Sequence, residues 1–395
     1  MSIIETVLRQ MSSVSTPQRK FMIVLLTTWM CLRGKANFRN LSRYSKVSEK
    51  TYSRGFRRQF DFVEFNRLTL AELFAGDTLL IAAMDCSFSE KSGNHTYGLD
   101  TFYNSTHNKP EKGLEISTLV LVDVEYTTAY NLSTRQTPTL ENPDETRVDW
   151  YLQHLRQDRH ALPDTVHYLV TDGYYSKKKF TDGVVETGLH QIGKLRHDAN
   201  LRFLYTGPQK PRGRCKQYDG KVKFNDLGRF EFVQEIEGIH IYTAVVNSVR
   251  LKRNLRIVYL VKQDSDKAQT ALLFSTDTLL SALEIYRYYK ARFHIEFLFR
   301  DAKQFTGLSD CQARCKESLH FHFNASMTAL NLLKLEDRQH TADSDRRVIS
   351  IASWKVRKFN EHLLKRFSDM LGLDFSSIKS NPAYETLQNY GAIAA

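Results

Sequence analysis

The order of apolar segments between residues 78 and 196 constrains the fold of this chain more than any other feature. Short apolar runs rich in β-branched residues predict strands, whereas longer amphipathic runs predict helices. In chain order, the predicted elements are strands at Leu79–Met84, Thr96–Tyr103 and Ile116–Val124, a helix at Val148–Leu155, a strand at Val166–Val170, a helix at Ser176–Glu186 and a strand at Gln191–Arg196. This alternation predicts an α/β domain.

Three strands, a helix, a strand, a helix and a strand follow the order of a ribonuclease H-like fold, which we predict for the central core. The core is expected in two parts, residues 76–200 and 276–338, interrupted by a β-rich insertion at 201–275. A helical region at 1–75 and a second helical region at 339–395 are expected to flank these parts.

Positive charge dominates the chain, which has 56 Lys and Arg residues against 44 Asp and Glu residues and a net charge of +12. In a chain with 42% hydrophobic residues, such an excess indicates a folded protein with a polyanionic partner, and nucleic acid is the first candidate. The alternative is a protein that is basic without such a partner. The apolar run Phe21–Leu32 is too short to cross a bilayer and predicts a core helix, so no membrane partner is expected.

The five cysteines are sparse and lack the spacing of a disulfide framework, which predicts a reducing compartment and therefore the cytoplasm. Cys311 and Cys315 lie near His320 and His322 in the sequence. A zinc site is one interpretation of these four residues, although their spacing is not a common zinc pattern. Cysteines that only pack in the core are the other interpretation.

Two short helices with a tight turn between them are predicted at Phe38–Tyr44 and Ser48–Phe60. In the second helix Tyr52, Phe56 and Phe60 recur every four residues and form an apolar stripe. Another face carries basic residues, namely Lys50, Arg54, Arg57 and Arg58. This arrangement resembles a helix-turn-helix, so the region is expected to bind DNA. A solvated basic face on an ordinary bundle helix is the alternative.

A second group of basic residues lies in a segment of the insertion that is rich in Pro and Gly, which predicts an exposed loop. The residues are Lys210, Arg212, Arg214 and Lys216. We expect this loop to contact DNA phosphates.

Two of the predicted strands end at an aspartate, Asp85 after Leu79–Met84 and Asp172 after Val166–Val170. Carboxylates on neighbouring strands can share metal ions, and hard cations such as Mg²⁺ prefer oxygen ligands. Each aspartate alone is equally consistent with the cap of a following turn.

A third carboxylate lies in the segment Thr278–Phe305, which is predicted to be one long helix ended by Gly307. At ~100° per residue, Tyr289, Arg292, Glu296 and Lys303 fall within a sector of roughly 60°. The opposite side is apolar, with Ala291, Ile295, Leu298, Ala302 and Phe305. Glu296 is therefore the carboxylate that shares a face with the other polar groups, unless the helix is simply amphipathic with a Glu296–Arg292 ion pair on its wet face.

The spacing Tyr-x2-Arg-x3-Glu-x6-Lys from Tyr289 to Lys303 resembles the signature of the insertion-sequence-four family of bacterial DDE transposases, the type that includes the Tn-five and Tn-ten enzymes. The segment Thr171–Tyr175 is similar to the family's second block, although the family usually has Gly or Ala in place of this threonine. The region around Asp85 is similar to the first block. The resemblance covers roughly residues 78 to 310.

The resemblance implies cut-and-paste movement of a DNA element by a ribonuclease H-like core. It implies that Asp85, Asp172 and Glu296 bind two Mg²⁺ ions, for which Mn²⁺ is expected to substitute. Water would first free a 3′ hydroxyl, which would then attack the opposite strand or the target DNA. Tyr289, Arg292 and Lys303 would contact DNA near the cut.

The implied partners are double-stranded DNA, as terminal inverted repeats and as target, and a second copy of the chain in a synaptic complex. The implied location is the cytoplasm of a bacterium, in association with the nucleoid. An aromatic residue of the insertion would stack on a flipped base, and Phe230, Phe232 and Tyr242 are the candidates.

Three other functions remain open from the sequence. A structure-specific nuclease or resolvase on the same core would use the same metal chemistry but would make no joined product. A regulator descended from a transposase would bind DNA without cleaving it. A metal-dependent phosphatase is the third, although its pocket does not need so much basic surface.

Overall fold

The strands form one mixed sheet in the computed structural model of the chain, which describes residues 2–71, 78–140, 142–262, 269–340 and 349–393. The strands of these residues are β1 (Leu80–Glu90), β2 (Asp100–Asn104), β3 (Lys109–Asp123), β4 (Thr128–Gln136), β5 (Tyr168–Val170), β6 (His190–Leu195), β7 (Leu201–Leu204), β8 (Tyr218–Lys221), β9 (Glu231–Ile236), β10 (Ile239–Ser248), β11 (Arg253–Lys262) and β12 (Gln269–Ser275). Their main path is β2-β3-β1-β5-β6-β12-β11-β10-β7-β8, with β4 beside β3 and β9 beside β10.

Helices cover both faces of the sheet. In the described residues they are α1 (Ile3–Gln10), α2 (Thr16–Cys31), α3 (Phe38–Arg43), α4 (Glu49–Gly55), α5 (Phe62–Ala71), α6 (Arg147–Asp158), α7 (Lys178–Glu186), α8 (Ala282–Arg292), α9 (His294–Phe305), α10 (Lys316–His340), α11 (Ile351–Leu371), α12 (Phe375–Lys379) and α13 (Ala383–Gln388). None of the described helices is long and apolar enough to cross a membrane.

Five strands in the order β4-β3-β1-β5-β6 form the half of the sheet that the sequence assigned to the core. β4, β3 and β1 pair antiparallel, whereas β1, β5 and β6 pair in parallel. Parallel neighbours need a crossover, and α7 provides it between β5 and β6. This mixed α/β arrangement is consistent with the predicted ribonuclease H-like fold.

Two details of the predicted core were wrong. Only the second part of the predicted strand Thr96–Tyr103 is extended, as β2, because Gly98 takes a left-handed backbone conformation with φ 68°. The prediction also missed β4, whose sequence contains many polar residues that are nevertheless buried. Asn331 of α10 explains part of this burial, since its side chain accepts from the backbone amide of Asn131 at 2.8 Å and donates to its carbonyl at 2.6 Å.

The strands expected between residues 201 and 275 are present, and they extend the core sheet. The connection is the antiparallel pair β6–β12, in which Leu272 lies opposite Leu195. The basic segment between β7 and β8 has no regular secondary structure in residues 205–217. Lys210, Arg212, Arg214 and Lys216 are all exposed there.

Successive residues of β1 face opposite sides of the sheet, as in any strand. Ile81 and Ala83 pack in the cluster that contains α8, α9 and α10, whereas Ala82 and Met84 pack in the cluster under α6 and α7. By the same alternation, Asp85 faces the side of α8 and α9.

The N-terminal region is helical, as predicted. Ser48 caps α4 by accepting a hydrogen bond from the amide of Thr51. The aromatic stripe Tyr52, Phe56 and Phe60 is buried. The four basic residues beside it, Lys50, Arg54, Arg57 and Arg58, are exposed. However, α4 ends at Gly55, so Arg57 and Arg58 follow the helix instead of lying on it.

The predicted continuous helix Thr278–Phe305 was wrong in two respects: it begins only at Ala282, and it is divided at Phe293 into α8 and α9. The amide of Phe293 bonds to the carbonyl of Lys290 at 3.2 Å, and the amide of Glu296 bonds to the carbonyl of Phe293 at 3.0 Å. These three-residue spacings tighten the chain locally, as in a 3₁₀ turn.

Candidate active site

Asp85 lies in β1, beside the point at which the neighbouring parallel strand β5 ends. The last paired residues of the β1–β5 ladder are Ala83 and Val170, and Asp85 and Asp172 each follow two residues later. The prediction that Asp85 ends its strand was wrong, because β1 continues to Glu90 beside β3. The sheet opens at Asp85 for a different reason, namely that β5 stops.

Asp172 caps a short 3₁₀ turn at Gly173–Tyr175. Its Oδ1 accepts a hydrogen bond from the amide of Tyr174 at 2.9 Å. The turn-cap interpretation of this aspartate is therefore correct as a description of its local contacts. The cap also fixes the carboxylate at the end of β5, next to the open edge beside Asp85.

Glu296 lies in the first turn of α9, and Arg292 joins it to Asp85. Nη2 of Arg292 donates to Oε1 of Glu296 at 3.0 Å, and Nη1 donates to Oδ2 of Asp85 at 3.2 Å. One guanidinium thus contacts a carboxylate from β1 and a carboxylate from the late helix pair. This places Glu296 and Asp85 around a common point.

The expected ion pair between Arg292 and Glu296 is present, but it does not lie on a wet face. The Arg292 side chain is only 10% exposed, while that of Glu296 is 43% exposed. Tyr289 covers the guanidinium, whose carbon lies 5.6 Å from the centre of the tyrosine ring. Arg292 is therefore a buried charge that is compensated by the two carboxylates.

The carboxylates influence each other's ionisation. Burial and the nearby charge of Asp172 raise the pKa of Asp85 to about 7, with a further contribution from Glu296, although Arg292 opposes the shift. Burial also raises the pKa of Asp172, against the effects of the Tyr174 amide and of Arg292. Burial is the main cause of both shifts, and the neighbouring carboxylates add to the shift of Asp85.

Lys303 lies further along α9, where its Nζ donates to the carbonyl of Phe88 in β1 at 2.8 Å. It is exposed, as predicted. Glu284 points well away from the face shared by Arg292 and Glu296 at helical spacing, and it forms the capping box of α8 with Ser281. The apolar side of α9, including Ile295 and Leu298, is buried.

The zinc interpretation of Cys311, Cys315, His320 and His322 is not supported. Among the described residues these four do not bring three ligand atoms together. Instead, Cys315 donates to Ser318, and Nε2 of His322 lies 2.9 Å from the carbonyl of Gly307.

Among the described residues, three possible ligand atoms lie within 4.8 Å of one another at Glu90, His107 and Glu111, whereas those of Asp85, Asp172 and Glu296 are spread more widely. Glu111 already accepts from Asn104 at 2.6 Å and pairs with Lys109 at 3.0 Å. Its charge is therefore satisfied by protein groups.

Sequence reasoning missed the basic residues that stand near Asp172, namely Lys177, Lys194 and Arg250, which line a cavity beside it. Lys177 could have been found, since it follows the Thr171–Tyr175 segment directly. Lys194 and Arg250 could not, because they come from β6 and from the β10–β11 hairpin.

A mixed sheet with this strand order and with converging carboxylates is consistent with a ribonuclease H-like enzyme that acts on nucleic acid. A family model described as the transposase DDE domain matches residues 92–332, which is more than half of the chain, and the chain belongs to that family. No curated protein matches it. The protein is therefore a transposase, with DNA as its substrate. The matched span includes Asp172 and Glu296 and begins shortly after Asp85.

Proposed function

We propose that this protein is a cut-and-paste DNA transposase of the insertion-sequence-four type, with Asp85, Asp172 and Glu296 as its catalytic carboxylates. The observation that carries the proposal is the contact of Arg292 with both Asp85 and Glu296. It joins the helix that bears the Tyr-Arg-Glu-Lys pattern to the strand that bears the first aspartate.

The donor chemistry of these residues suits a pair of divalent cations, which would draw the three carboxylates closer together than the more than 4.8 Å over which they are now spread. All three side chains offer carboxylate oxygens, which hard cations prefer. Oε2 of Glu296 has no hydrogen bond to any described residue, and burial together with the charge of Asp172 raises the pKa of Asp85, so that a cation would favour its ionised form. Two Mg²⁺ ions, or Mn²⁺ in their place, would activate the attacking oxygen and stabilise the leaving one.

The protein's own groups have distinct roles in this proposal. Arg292 orients Asp85 and Glu296 and lends positive charge to a phosphate oxygen. Tyr289 packs beside Arg292 and faces the terminal nucleotide. Lys303 holds DNA backbone beyond the scissile phosphate, after exchanging the Phe88 carbonyl for a phosphate. Water then cleaves one strand, and the freed 3′ hydroxyl attacks the second strand or the target.

DNA would extend from the carboxylates over two exposed basic surfaces. The first comprises Lys50, Arg54, Arg57 and Arg58, and the second comprises Lys210, Arg212, Arg214 and Lys216. The partners are terminal inverted repeats and target DNA, brought together by a dimer in a synaptic complex in the bacterial cytoplasm, associated with the nucleoid. Of the three aromatic candidates in the insertion, Phe232 is 55% exposed and Phe230 only 8%, which favours Phe232 for stacking on a base.

The test is incubation of the full chain with linear DNA that carries the sequences flanking its gene, with Mg²⁺ present. The expected products are nicks at the repeat boundaries, followed by excised element and joined target molecules. Cleavage without any joined product would indicate a structure-specific nuclease instead. Binding without cleavage, in Mg²⁺ and in Mn²⁺, would indicate a DNA-binding regulator.

A further inference from the structure

A cavity of about 400 Å³ lies beside Asp172 and is not explained by the carboxylates. Three segments form its wall: the turn at residues 173–177, the connection from β6 to β7 at 194–200, and the β10–β11 hairpin at 248–251. The charged and aromatic residues of the lining are Tyr174, Lys177, Lys194, Arg196, Asp198 and Arg250.

Three cations of this cavity form no salt bridge within the described part of the chain, although the charge of Asp172 is near enough to act on Lys177. Arg196 pairs with Asp198 at 3.0 Å, but Lys177, Lys194 and Arg250 form no salt bridge with any residue that the structure describes. Lys177 and Arg250 are close enough that Arg250, after burial, lowers the pKa of Lys177. Three cations on one wall repel one another, and an anion bound between them would relieve that repulsion.

The wall is held by contacts that connect it to Asp172. Nζ of Lys177 lies 3.7 Å from the centre of the Tyr174 ring, a cation–π contact. The amide of Tyr174 donates to Asp172. The hydroxyl of Ser176 donates to the carbonyl of Lys194 at 2.7 Å. The turn that caps Asp172 therefore also positions Lys177 and the Lys194 strand.

We propose that this cavity binds the phosphodiester backbone of a DNA strand as it leaves the carboxylates next to Asp172. Lys177, Lys194 and Arg250 would supply the phosphate contacts, and Tyr174 would act as a positioning residue for Lys177. A polyanionic strand is the ligand that fits, because the lining is basic and includes Gly173 and Tyr174, which directly follow Asp172. The inference rests on the proposed function, since that function brings DNA to Asp172.

The test measures binding of a fluorescently labelled oligothymidylate by anisotropy at several salt concentrations, with Ca²⁺ in place of Mg²⁺. The full chain is compared with the double variant Lys194→Ala/Arg250→Ala. For a single strand, each phosphate that the protein no longer neutralises lowers the slope of log affinity against log salt by about 0.7. The variant should therefore show a reduced slope and weaker binding.

A matched control removes the same two kinds of charge elsewhere, as Lys365→Ala/Arg366→Ala, both of which are exposed on α11. The control should keep the slope of the unchanged protein. Tyr174→Phe should bind normally because its ring still holds Lys177, whereas Tyr174→Ala should bind more weakly. Melting curves check that each variant is folded.

An unchanged slope in Lys194→Ala/Arg250→Ala, or an equal reduction in the control, would overturn the cavity assignment even if the protein cleaves DNA. A reduced slope confined to the cavity variant would support it. If the slope is reduced only in the cavity variant but the unchanged protein does not cleave the DNA that flanks its gene, the proposed function is refuted and the cavity assignment is retained.

Discussion

Arg292 donates from Nη1 to Oδ2 of Asp85 at 3.2 Å, across a sequence separation of 207 residues. The same guanidinium reaches Glu296 at 3.0 Å. A planar cation thus occupies the space between two carboxylates that we propose as metal ligands. The arrangement stabilises a concentration of negative charge that would otherwise repel itself.

We predict that Asp85→Asn, Asp172→Asn and Glu296→Gln each abolish Mg²⁺-dependent cleavage and leave DNA binding nearly unchanged. Each change keeps the shape of the side chain but removes a ligand charge. A metal ion contributes several kcal/mol of transition-state stabilisation, so the rate should fall by roughly a thousandfold or more. The measurement is a gel assay of cleavage together with a binding assay.

Glu284→Gln provides the matched control, because it is the same substitution on the adjacent helix. Gln can replace Glu in the capping box of α8. This variant should cleave at the rate of the unchanged protein. Substantial cleavage by any one of the three carboxylate variants would refute the assignment of that residue.

Arg292→Lys should be nearly as inactive as Arg292→Ala. A lysine keeps the positive charge but presents a point charge, which cannot reach both carboxylates in the geometry of a planar fork. Because Arg292 is buried, Arg292→Ala removes the positive charge that Asp85 and Glu296 pair with and can therefore also destabilise the fold. Arg292→Lys keeps a positive charge there, so its loss of activity reports on catalysis and not on the missing charge. Circular dichroism and single-turnover cleavage would be measured, with His294→Ala as the active control. An active, folded Arg292→Lys would show that charge alone is sufficient.

The raised pKa of Asp85, about 7, predicts a pH-dependent effect of Asp85→Asn on stability. The folded protein favours the protonated carboxyl of Asp85, and protonation therefore stabilises the fold. This contribution to the free energy of unfolding is fully present below the unfolded pKa of about 4. It disappears as the pH rises through 7. In metal-free buffer, the melting temperature of Asp85→Asn minus that of the unchanged protein should therefore increase from pH 5 to pH 8.

Adding Mg²⁺ at pH 8 should reverse this difference, because the cation binds the ionised carboxylate and stabilises only the unchanged protein. Differential scanning fluorimetry at pH 5 and pH 8, with and without Mg²⁺, tests both the increase with pH and its reversal by the metal. A difference in melting temperature that does not vary with pH would mean that Asp85 ionises as in water.

Lys210→Ala/Arg212→Ala/Arg214→Ala should weaken binding to duplex DNA and lower the log–log salt slope by about 0.9 for each phosphate that is no longer neutralised. The structure distinguishes Lys216 from these three, since its Nζ pairs with Asp219 at 2.8 Å and lies 4.3 Å from the Tyr205 ring centre. Lys216→Ala alone should therefore change the slope less than any of the other single variants. A triple variant with the original slope would indicate that the loop is only solvated.

Local sequence patterns were enough to predict most elements of the core and their order, although β4 was missed and β2 was placed too early. Apolar runs rich in β-branched residues, such as Ile116–Val124, favour buried strands, and the stripe of Ile295, Leu298 and Ala302 indicates which side of α9 is buried. These properties depend on neighbouring residues, so periodicity reveals them. Glu296 could be selected over Glu284 for the same reason.

Contacts between residues that are distant in the chain could be identified only from the folded structure. The polar strand β4 is buried because the side chain of Asn331 satisfies the backbone of Asn131. Arg292 is buried because it forms an ion pair with Asp85 of β1, although the helix pattern had placed it in solvent. The cation cavity joins Lys177, Lys194 and Arg250 from three separate segments. No local sequence pattern predicts such contacts, because strand pairing and helix packing determine which distant side chains lie on the same surface.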